Sequence, residues 1–519
     1  MNNSSESKLN EETIPDQKQI AVLFISILIV ALCGIAYELI IGTVSSYLLG
    51  NSVYQFSLTI GLFMFAMGIG SFISKRVVKN LIASFVVIEL LISVAGGISS
   101  LLLFMVFPYV TALYLAVMYS LIIIIGILVG LEIPILTRIL SRKESLKDSI
   151  ANVLTLDYVG ALAGSIIFPL FLLPHLGLIR SSFAIGLINS ATALLNIIYF
   201  RKNFKRPVIA FSICVFVIIS LVIMTVYGTV LTNFAEGKLY FDQVLFKKQT
   251  PYQRIVYTQA LFSGEHRLYI DGHIQFCDRD EYRYHEALVH PVMTPEGSRE
   301  TVLILGGGDG LAAREVLKYS DVKLIHLVDI DPDITKFCSE FPEIKALNKG
   351  SLKDPKVKII NADAFSFLNR YGILYDRIII DLPDPHNEAL NKLYSKEFYT
   401  IIRKRLNPEG FIVTQSSSPF YTRQSYWCIE KTLENAGFKT FSYKITVPAF
   451  GVWGFHIGAG AGDVPAEFVI SVPTRFIDQS VMAVASVFGR DVSKIAAPVN
   501  TIMEPKLYEL YLNELKGPI

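Results

Sequence analysis

Five aspartates in the C-terminal half of the sequence stand at or just beyond the ends of apolar runs. Asp309 follows Val302-Leu303-Ile304-Leu305, Asp329 follows Leu327-Val328, and Asp363 follows Ile359-Ile360. Asp381 and Asp384 follow Ile378-Ile379-Ile380 in the segment Asp381-Leu382-Pro383-Asp384-Pro385. In open α/β sheets, ligands bind outside the carboxyl ends of the strands, so carboxylates placed there would converge. With no metal-type histidine cluster beside them, such a set suits cationic and hydroxyl-bearing ligands. The other use of an aspartate at such a place is to cap a helix, and that alternative applies to Asp384.

The run Gly306-Gly307-Gly308-Asp309-Gly310 connects the first of these strands to a helical pattern starting at Leu311. Glycines there permit a tight turn and close backbone approach to a nucleoside. Asp329 lies 19 residues beyond Gly310, where an acid holds ribose hydroxyls in folds of this kind. Asp309 interrupts the dinucleotide pattern, because its carboxylate would repel a pyrophosphate. The turn therefore points to an adenosine-type ligand that carries positive charge.

The elements that must position these residues follow from periodicity. Residues 239–285 alternate apolar and polar, with a turn at Asp271-Gly272, as short antiparallel strands do. Beyond residue 301, strand-like stretches at 301–305, 323–328, 357–360, 376–380 and 410–414 alternate with helix patterns near 311–319, 333–341, 395–405 and 423–436. That alternation predicts a doubly wound parallel sheet.

Two further stretches complete a recognisable set: Leu268-Tyr269-Ile270-Asp271-Gly272-His273-Ile274-Gln275 and Asp280-Glu281-Tyr282-Arg283-Tyr284-His285-Glu286. Together with Gly306 to Gly310 and Asp381 to Pro385, over about residues 240–475, they resemble the spermidine synthase (polyamine aminopropyltransferase) family. The resemblance extends to the membrane-bound bacterial subset of that family. It implies transfer of an aminopropyl group from decarboxylated S-adenosylmethionine, a cosubstrate, to putrescine or a similar amine. Methylthioadenosine leaves, and neither a metal nor a resident cofactor is required. The resemblance assigns Gln253, Asp329, Asp363 and Ala364 to the nucleoside, and Asp309 to both the cosubstrate and the amine. Tyr284, His285, Asp384, Gln415 and Phe450 fall to the amine site, and Asp381 matches the proton acceptor. Soluble members carry tyrosine in a Pro-x-Tyr-Pro-x-Gly turn, where this chain has Pro448-Ala449-Phe450-Gly451. Leu382-Pro383 likewise replaces small polar residues, so both departures bear on the choice of amine. Two alternatives stand beside this reading. One is an S-adenosylmethionine-dependent methyltransferase; the other is a polyamine transporter or sensor without turnover.

The N-terminal half has a different texture. The chain has 519 residues, 52% hydrophobic and only 18% charged, and nearly all of the apolar excess precedes residue 232. A span needs about 20 apolar residues to cross a ~30 Å core. Candidate spans are 20–42, 54–74, 81–106, 109–137, 154–174, 181–200 and 207–232. Gly68, Gly70, Gly160 and Gly164 supply the small residues that close helix contacts in lipid require. The expected fold is thus a multi-span α-helical membrane domain fused to a small antiparallel β domain and an α/β doubly wound, Rossmann-like catalytic domain of methyltransferase type. The expected boundaries are a disordered tail at 1–19, about seven transmembrane helices at 20–232, the β subdomain at 233–300 and the catalytic domain at 301–519.

Four acids fall within the spans: Glu38, Glu89, Glu132 and Asp157. They read either as a cation-binding interior or as protonated or hydrogen-bonded packing groups near helix ends, the second fitting Glu89 in particular. Cys33, Cys214, Cys277, Cys338 and Cys428 lack any metal or disulfide spacing and read as small buried hydrophobes. A net charge of +2 gives no reason to expect nucleic acid as a partner; the expected partners are amines, the cosubstrate and a lipid bilayer, with homo-oligomerisation open. Loop charges put 13 basic residues on one side, from Lys8 to Arg206, against Arg180 alone on the other. That asymmetry places the N-terminus in the cytoplasm, and seven crossings then put the catalytic domain outside. A cytoplasmic catalytic domain in the cell membrane, as the cosubstrate favours, needs one broken segment, expected within 109–140 at Glu132 and Pro134.

Overall fold

The computed structural model describes residues 15–49, 52–109, 111–240, 242–465 and 467–516; residues 1–14 of the expected tail lie outside them. The chain divides into two compact units, Met1–Val244 and Leu245–Ile519.

The first unit is helical: α1 (Gln17–Leu49), α2 (Ser52–Ile73), α3 (Leu81–Val106), α4 (Thr111–Leu140), α5 (Leu146–Ile167), α6 (Leu173–Tyr199), α7 (Pro207–Val226) and α8 (Gly228–Tyr240). Among the described residues, six stretches are long and apolar enough to cross a membrane by length and composition. One of them, Leu146–Tyr199, is 54 residues long, more than twice the ~20 residues that one crossing needs. It doubles back. Gly160 lies against Leu28 and Gly164 against Leu32, so α5 runs parallel to α1. Asn196 donates to Ser26, and Cys33 to the Ile185 carbonyl, so α6 runs antiparallel to α1. The reversal uses a π turn at Phe168–Leu172 and a kink at Gly177, where φ is 71°.

Other pairs fix the remaining directions. Ser45 meets Met118 while Gly34 meets Val129, so α4 is antiparallel to α1. Gly126 meets Phe63 and Gly130 meets Met67, so α2 is parallel to α4. Tyr37 meets Gly96 and Tyr47 meets Phe104, so α3 is parallel to α1. Cys214 bonds the Ser190 carbonyl and Leu221 meets Gly186, so α7 is antiparallel to α6. From α1 to α7 the chain therefore alternates direction at every helix.

Several expectations fail here for physical reasons. The break expected near Pro134 is absent: α4 runs unbroken through it. Proline at 134 frees the carbonyl four residues back, at Gly130, and α2 flanks the helix there, with Met67 and Gly70 lying against Gly130. The last span ends at Val226 rather than 232, because Tyr227 leaves the helical region at ψ 5°. Gly70 faces the Ile127 carbonyl, but Gly68 faces open space and makes no close contact. Glu89 does not lie near a helix end. It sits two turns inside α3, 0% exposed, and interacts with the equally buried Glu132 of α4. None of their four carboxylate oxygens meets a donor among the described residues.

The second unit begins with a small sheet, β1 (Gln243–Gln249), β2 (Arg254–Gln259), β3 (His266–Ile270) and β4 (His273–Cys277), in that spatial order. Asp271 and Gly272, both at positive φ, make the β3–β4 turn. Then come α9 (Glu281–Met293), β5 (Thr301–Gly306), α10 (Leu311–Val316), β6 (Leu324–Asp329), α11 (Pro332–Glu340), α12 (Pro342–Leu347), β7 (Val357–Asn361) and α13 (Ala364–Arg370). β8 (Tyr375–Asp381), α14 (Glu388–Asn391), α15 (Lys396–Lys404), β9 (Leu406–Gln415), α16 (Arg423–Asn435), β10 (Lys439–Val447), β11 (Gly451–Ala459), α17 (Gln479–Ala485) and α18 (Lys506–Lys516) complete it.

The large sheet has the order β10-β11-β9-β8-β5-β6-β7. Its central strands are parallel and apolar on both faces, as strands covered on two sides must be. Val302 and Ile304 pack into one core, and Leu303 and Leu305 into the other. The sheet is mixed rather than purely parallel, because β10 and β11 add an antiparallel hairpin at one edge. This hairpin lies beyond the expected strands, the last of which is 410–414, and Pro448–Phe450 form its bend. The chain runs from β5 outward to β7, then returns to β8 on β5's other side. That reversal is the switch point, and Gly306 pairs with Asp381 across it.

Candidate active site

At the switch point lies a cavity of ≈ 520 Å³, a volume suited to one small ligand pair. Gln253, Tyr284, His285, Asp309, Asp329, Asp363, Ala364, Asp381, Asp384, Gln415 and Phe450 all line it. The five aspartates and Gln415 reach it from strand ends or the loops that follow, and Tyr284 and His285 from helix α9.

The glycine turn shapes one wall. Gly306, at φ 82°, lies against the Asp381 carbonyl, and a Cβ on Gly308 would collide with the Asp329 carboxylate. Bare backbone therefore lies directly beside the acid that ends β6. Burial lifts Asp329 to about 6, against the pull of its bond from the Asp331 amide. Asp363 ends this side of the site. Its Oδ1 caps α13 by accepting from Ser366 N at 2.9 Å, and its Oδ2 pairs with Lys392 at 3.0 Å. Burial works against the charge, yet Ser366 and Lys392 hold Asp363 below its ordinary value. Helix capping thus falls on Asp363; Asp384, for which it was the alternative, caps no helix.

The opposite side is built on α9. Tyr284 donates to Asp381 Oδ1 at 2.7 Å, and its ring meets Phe450 edge-on at 5.9 Å. One residue along, His285 Nδ1 bonds Glu281 Oε2 at 2.8 Å, and its Nε2 stands 4.0 Å from Asp309 Oδ2. Glu281 is gripped by both terminal nitrogens of Arg314, at 2.8 and 2.9 Å. Burial disfavours a charged His285, but the Glu281 bond and the charges of Glu281, Asp309 and Asp381 raise it to about 9. The imidazolium stands between Glu281 and Asp309. Burial raises Asp381 to about 6, with Asp309 adding to it and His285 and Tyr284 opposing it. Asp309 is raised by burial as well, while its Oδ1 accepts from Leu311 N at 2.8 Å.

Gln415, at the end of β9, ties the remaining loop together. Its Nε2 donates to the Leu382 carbonyl at 2.6 Å and lies 3.3 Å from Asp384 Oδ1. Its Oε1 accepts from Trp453 Nε1 at 3.2 Å. Burial raises Asp384 to about 6, opposed by bonds from Tyr511, Gln415 and Ser417.

Sequence reasoning missed Glu281 and Arg314 as supports for His285, as well as Lys392 and Tyr511. The Glu281–His285 spacing of four on a helix was a usable signal. Tyr511 had none, since it lies 127 residues from the aspartate it touches.

Residues 281–466 match the family model of the spermine/spermidine synthase domain. A polyamine aminopropyltransferase of Leptospira interrogans is 42% identical, over 95% of this chain and 98% of its own length. One of Oceanobacillus iheyensis is 39% identical over 97% of this chain and 98% of its own. A solved spermidine synthase, in complex with the transition state analogue AdoDATO, is 24% identical with a TM-score of 0.44, covering 48% of this chain and 86% of that one. Similarity of that extent to the two curated relatives, running through both units, makes this chain a member of the polyamine aminopropyltransferase (spermine/spermidine synthase) family, a family of transferases.

Proposed function

We propose that this chain transfers the aminopropyl group of decarboxylated S-adenosylmethionine to putrescine or a similar primary amine. The amine nitrogen's lone pair attacks the methylene carbon beside the sulfonium, and the carbon–sulfur bond breaks as methylthioadenosine leaves. The proton shed by the nitrogen passes to Asp381. The leaving group is already good, so the protein must mainly position the two reactants, which can contribute about 7–11 kcal/mol. It must also supply a neutral nucleophile, because a free alkylamine resembles lysine, with a pKa of about 10.4. Above about pH 6 Asp381 is ionised and can take that proton, with Tyr284 fixing its orientation.

The observation that carries the proposal is the pair of carboxylates, Asp309 and Asp381, flanking one cavity beside the glycine turn. Asp309 suits the ammonium of the aminopropyl arm and disfavours the carboxylate of intact S-adenosylmethionine, as a methyltransferase would require. Asp329 and the Asp363–Ala364 corner suit the ribose and the adenine. Product analysis with purified full-length protein is the test. Methylthioadenosine supports the proposal; adenosylhomocysteine, or no product, overturns it.

The helical unit is proposed to lie in the membrane, with α1 to α7 as seven crossings and α5–α6 as a hairpin. With α4 unbroken, the cytoplasmic reading loses the segment it needed, and 13 basic loop residues against one support an external catalytic unit. A phosphatase fused after Ile519 should then be active, with a fluorescent protein fused there dark. A bright fluorescent fusion and a silent phosphatase would reverse the assignment.

A further inference from the structure

We infer that Tyr511, on the C-terminal helix α18, is a specificity-determining residue that closes the amine end of the cavity at Asp384. The inference rests on the aminopropyl-transfer reading for the identity of the ligand. It deepens that reading with a residue that lies 45 positions beyond the matched span, which ends at 466.

Three side chains donate to Asp384. Gln415 Nε2 and Ser417 Oγ each stand at 3.3 Å, the long end of the hydrogen-bond range, whereas Tyr511 Oη stands at 2.8 Å from Oδ2. Gln415 Nε2 is shared with the Leu382 carbonyl, and Ser417 Oγ with Thr422. Tyr511 is therefore the short contact that sets which way the carboxylate faces. A hydroxyl that donates to Asp384 keeps lone pairs for an ammonium placed beside the carboxylate. Its ring, 5% exposed, also forms part of the cavity wall. Phe450, on the same cavity, offers only a ring.

The helix that carries Tyr511 is held for this purpose at both ends. Leu507, Tyr511 and Glu514 share one face, spaced as i, i+4 and i+7. Leu507 is fully buried, and its amide donates to Asn500 Oδ1 at 3.2 Å. The Tyr508 amide donates to Asn391 Oδ1 at 3.1 Å. Glu514 accepts from the Gln424 amide at 2.6 Å and the Ser425 hydroxyl at 2.7 Å, at the start of α16. Tyr511 is thus presented by a docked element.

Two consequences follow for the ligand. The hydroxyl fixes the remote ammonium of a diamine, and the ring bulk limits how long an acceptor can extend past Asp384. Calorimetry with full-length protein in detergent tests both, using putrescine and spermidine as probes, beside steady-state assays with each amine. Tyr511→Phe should weaken putrescine binding roughly tenfold, the value of one charge-assisted hydrogen bond. It should raise KM for putrescine with little change in kcat, and leave KM for decarboxylated S-adenosylmethionine and the melting temperature unaltered. Tyr511→Ala should shift the spermidine-to-putrescine ratio of kcat/KM at least tenfold toward spermidine. Unchanged putrescine binding in Tyr511→Phe would overturn the inference, as would a uniform loss toward both amines and the cosubstrate. Because binding is read directly, a wild-type protein that binds amines without turnover would sink the transfer reaction alone and leave the Tyr511 comparison standing.

Discussion

Both units bury carboxyl groups, and they treat them in opposite ways. In the catalytic unit every buried cavity acid has a donor: Tyr284 for Asp381, the Leu311 amide for Asp309, the Asp331 amide for Asp329, and Tyr511 for Asp384. In the helical unit Glu89 and Glu132 meet each other and no donor among the described residues. Burying a charge without a partner is costly, so an unpartnered pair holds at least one proton or some other cation. A partnered acid at a cavity wall can stay ionised and receive a cationic substrate. Burial alone therefore does not mark a working carboxylate; the donors that shape its remaining lone pairs do.

The sharpest way to break that comparison is to remove the charge at Asp381 while keeping its shape. Asp381→Asn should lower turnover ~10²-fold or more, the range for loss of a general base, and should largely spare nucleoside binding. Near-normal turnover in a folded Asp381→Asn protein would take the proton acceptor out of the cavity's centre. The matching change in the other unit should act in the opposite direction. Glu89→Gln gives Glu132 an amide donor, and relieving an unsatisfied buried group is worth about 1–3 kcal/mol. Thermal unfolding in detergent should show a raised melting temperature with unchanged aminopropyl transfer. A lowered melting temperature would mean that the pair holds a cation, and the contrast between the units would collapse.

Much of the site was legible because each acid sits beside a backbone signal. Asp309 follows glycines, Asp329 and Asp381 follow the apolar runs Leu327-Val328 and Ile378-Ile379-Ile380, and the strand edges of a doubly wound sheet converge by topology. The resemblance then assigned roles to residues that spacing alone could only gather. What escaped was tertiary in origin. Arg314 and Tyr511 reach the site from helices whose patterns say nothing of their targets, and β10, which follows α16, mixes polar with apolar residues and has no continuous apolar run to announce it. In the helical unit, apolar runs marked each helix and gave α3 to the residue, but α1 runs on to Leu49 rather than 42, and α5 and α6 begin at Leu146 and Leu173 rather than 154 and 181. The fate of Pro134 depended on α2 lying alongside, and a single sequence does not record which helix is a neighbour.

A smaller test separates Asp381 from the acids around it. Asp381, Asp384 and Asp329 all stand at about 6, so the acid limb of kcat/KM belongs to the group and not to one residue. Activity requires Asp381 ionised, and it should fall as pH drops through that region. Tyr284 donates its hydrogen bond to Asp381, which favours the ionised form and pulls its pKa down. Tyr284→Phe removes that pull, so Asp381 should hold its proton to higher pH and the acid limb should move up by roughly one unit, the equivalent of about 1.4 kcal/mol. At pH 8.5 the variant should keep most of its turnover, because Asp381 is ionised there in both proteins. An acid limb that stays where it was in Tyr284→Phe would assign the limb to Asp384 or Asp329, and the donor at Asp381 would matter for position alone.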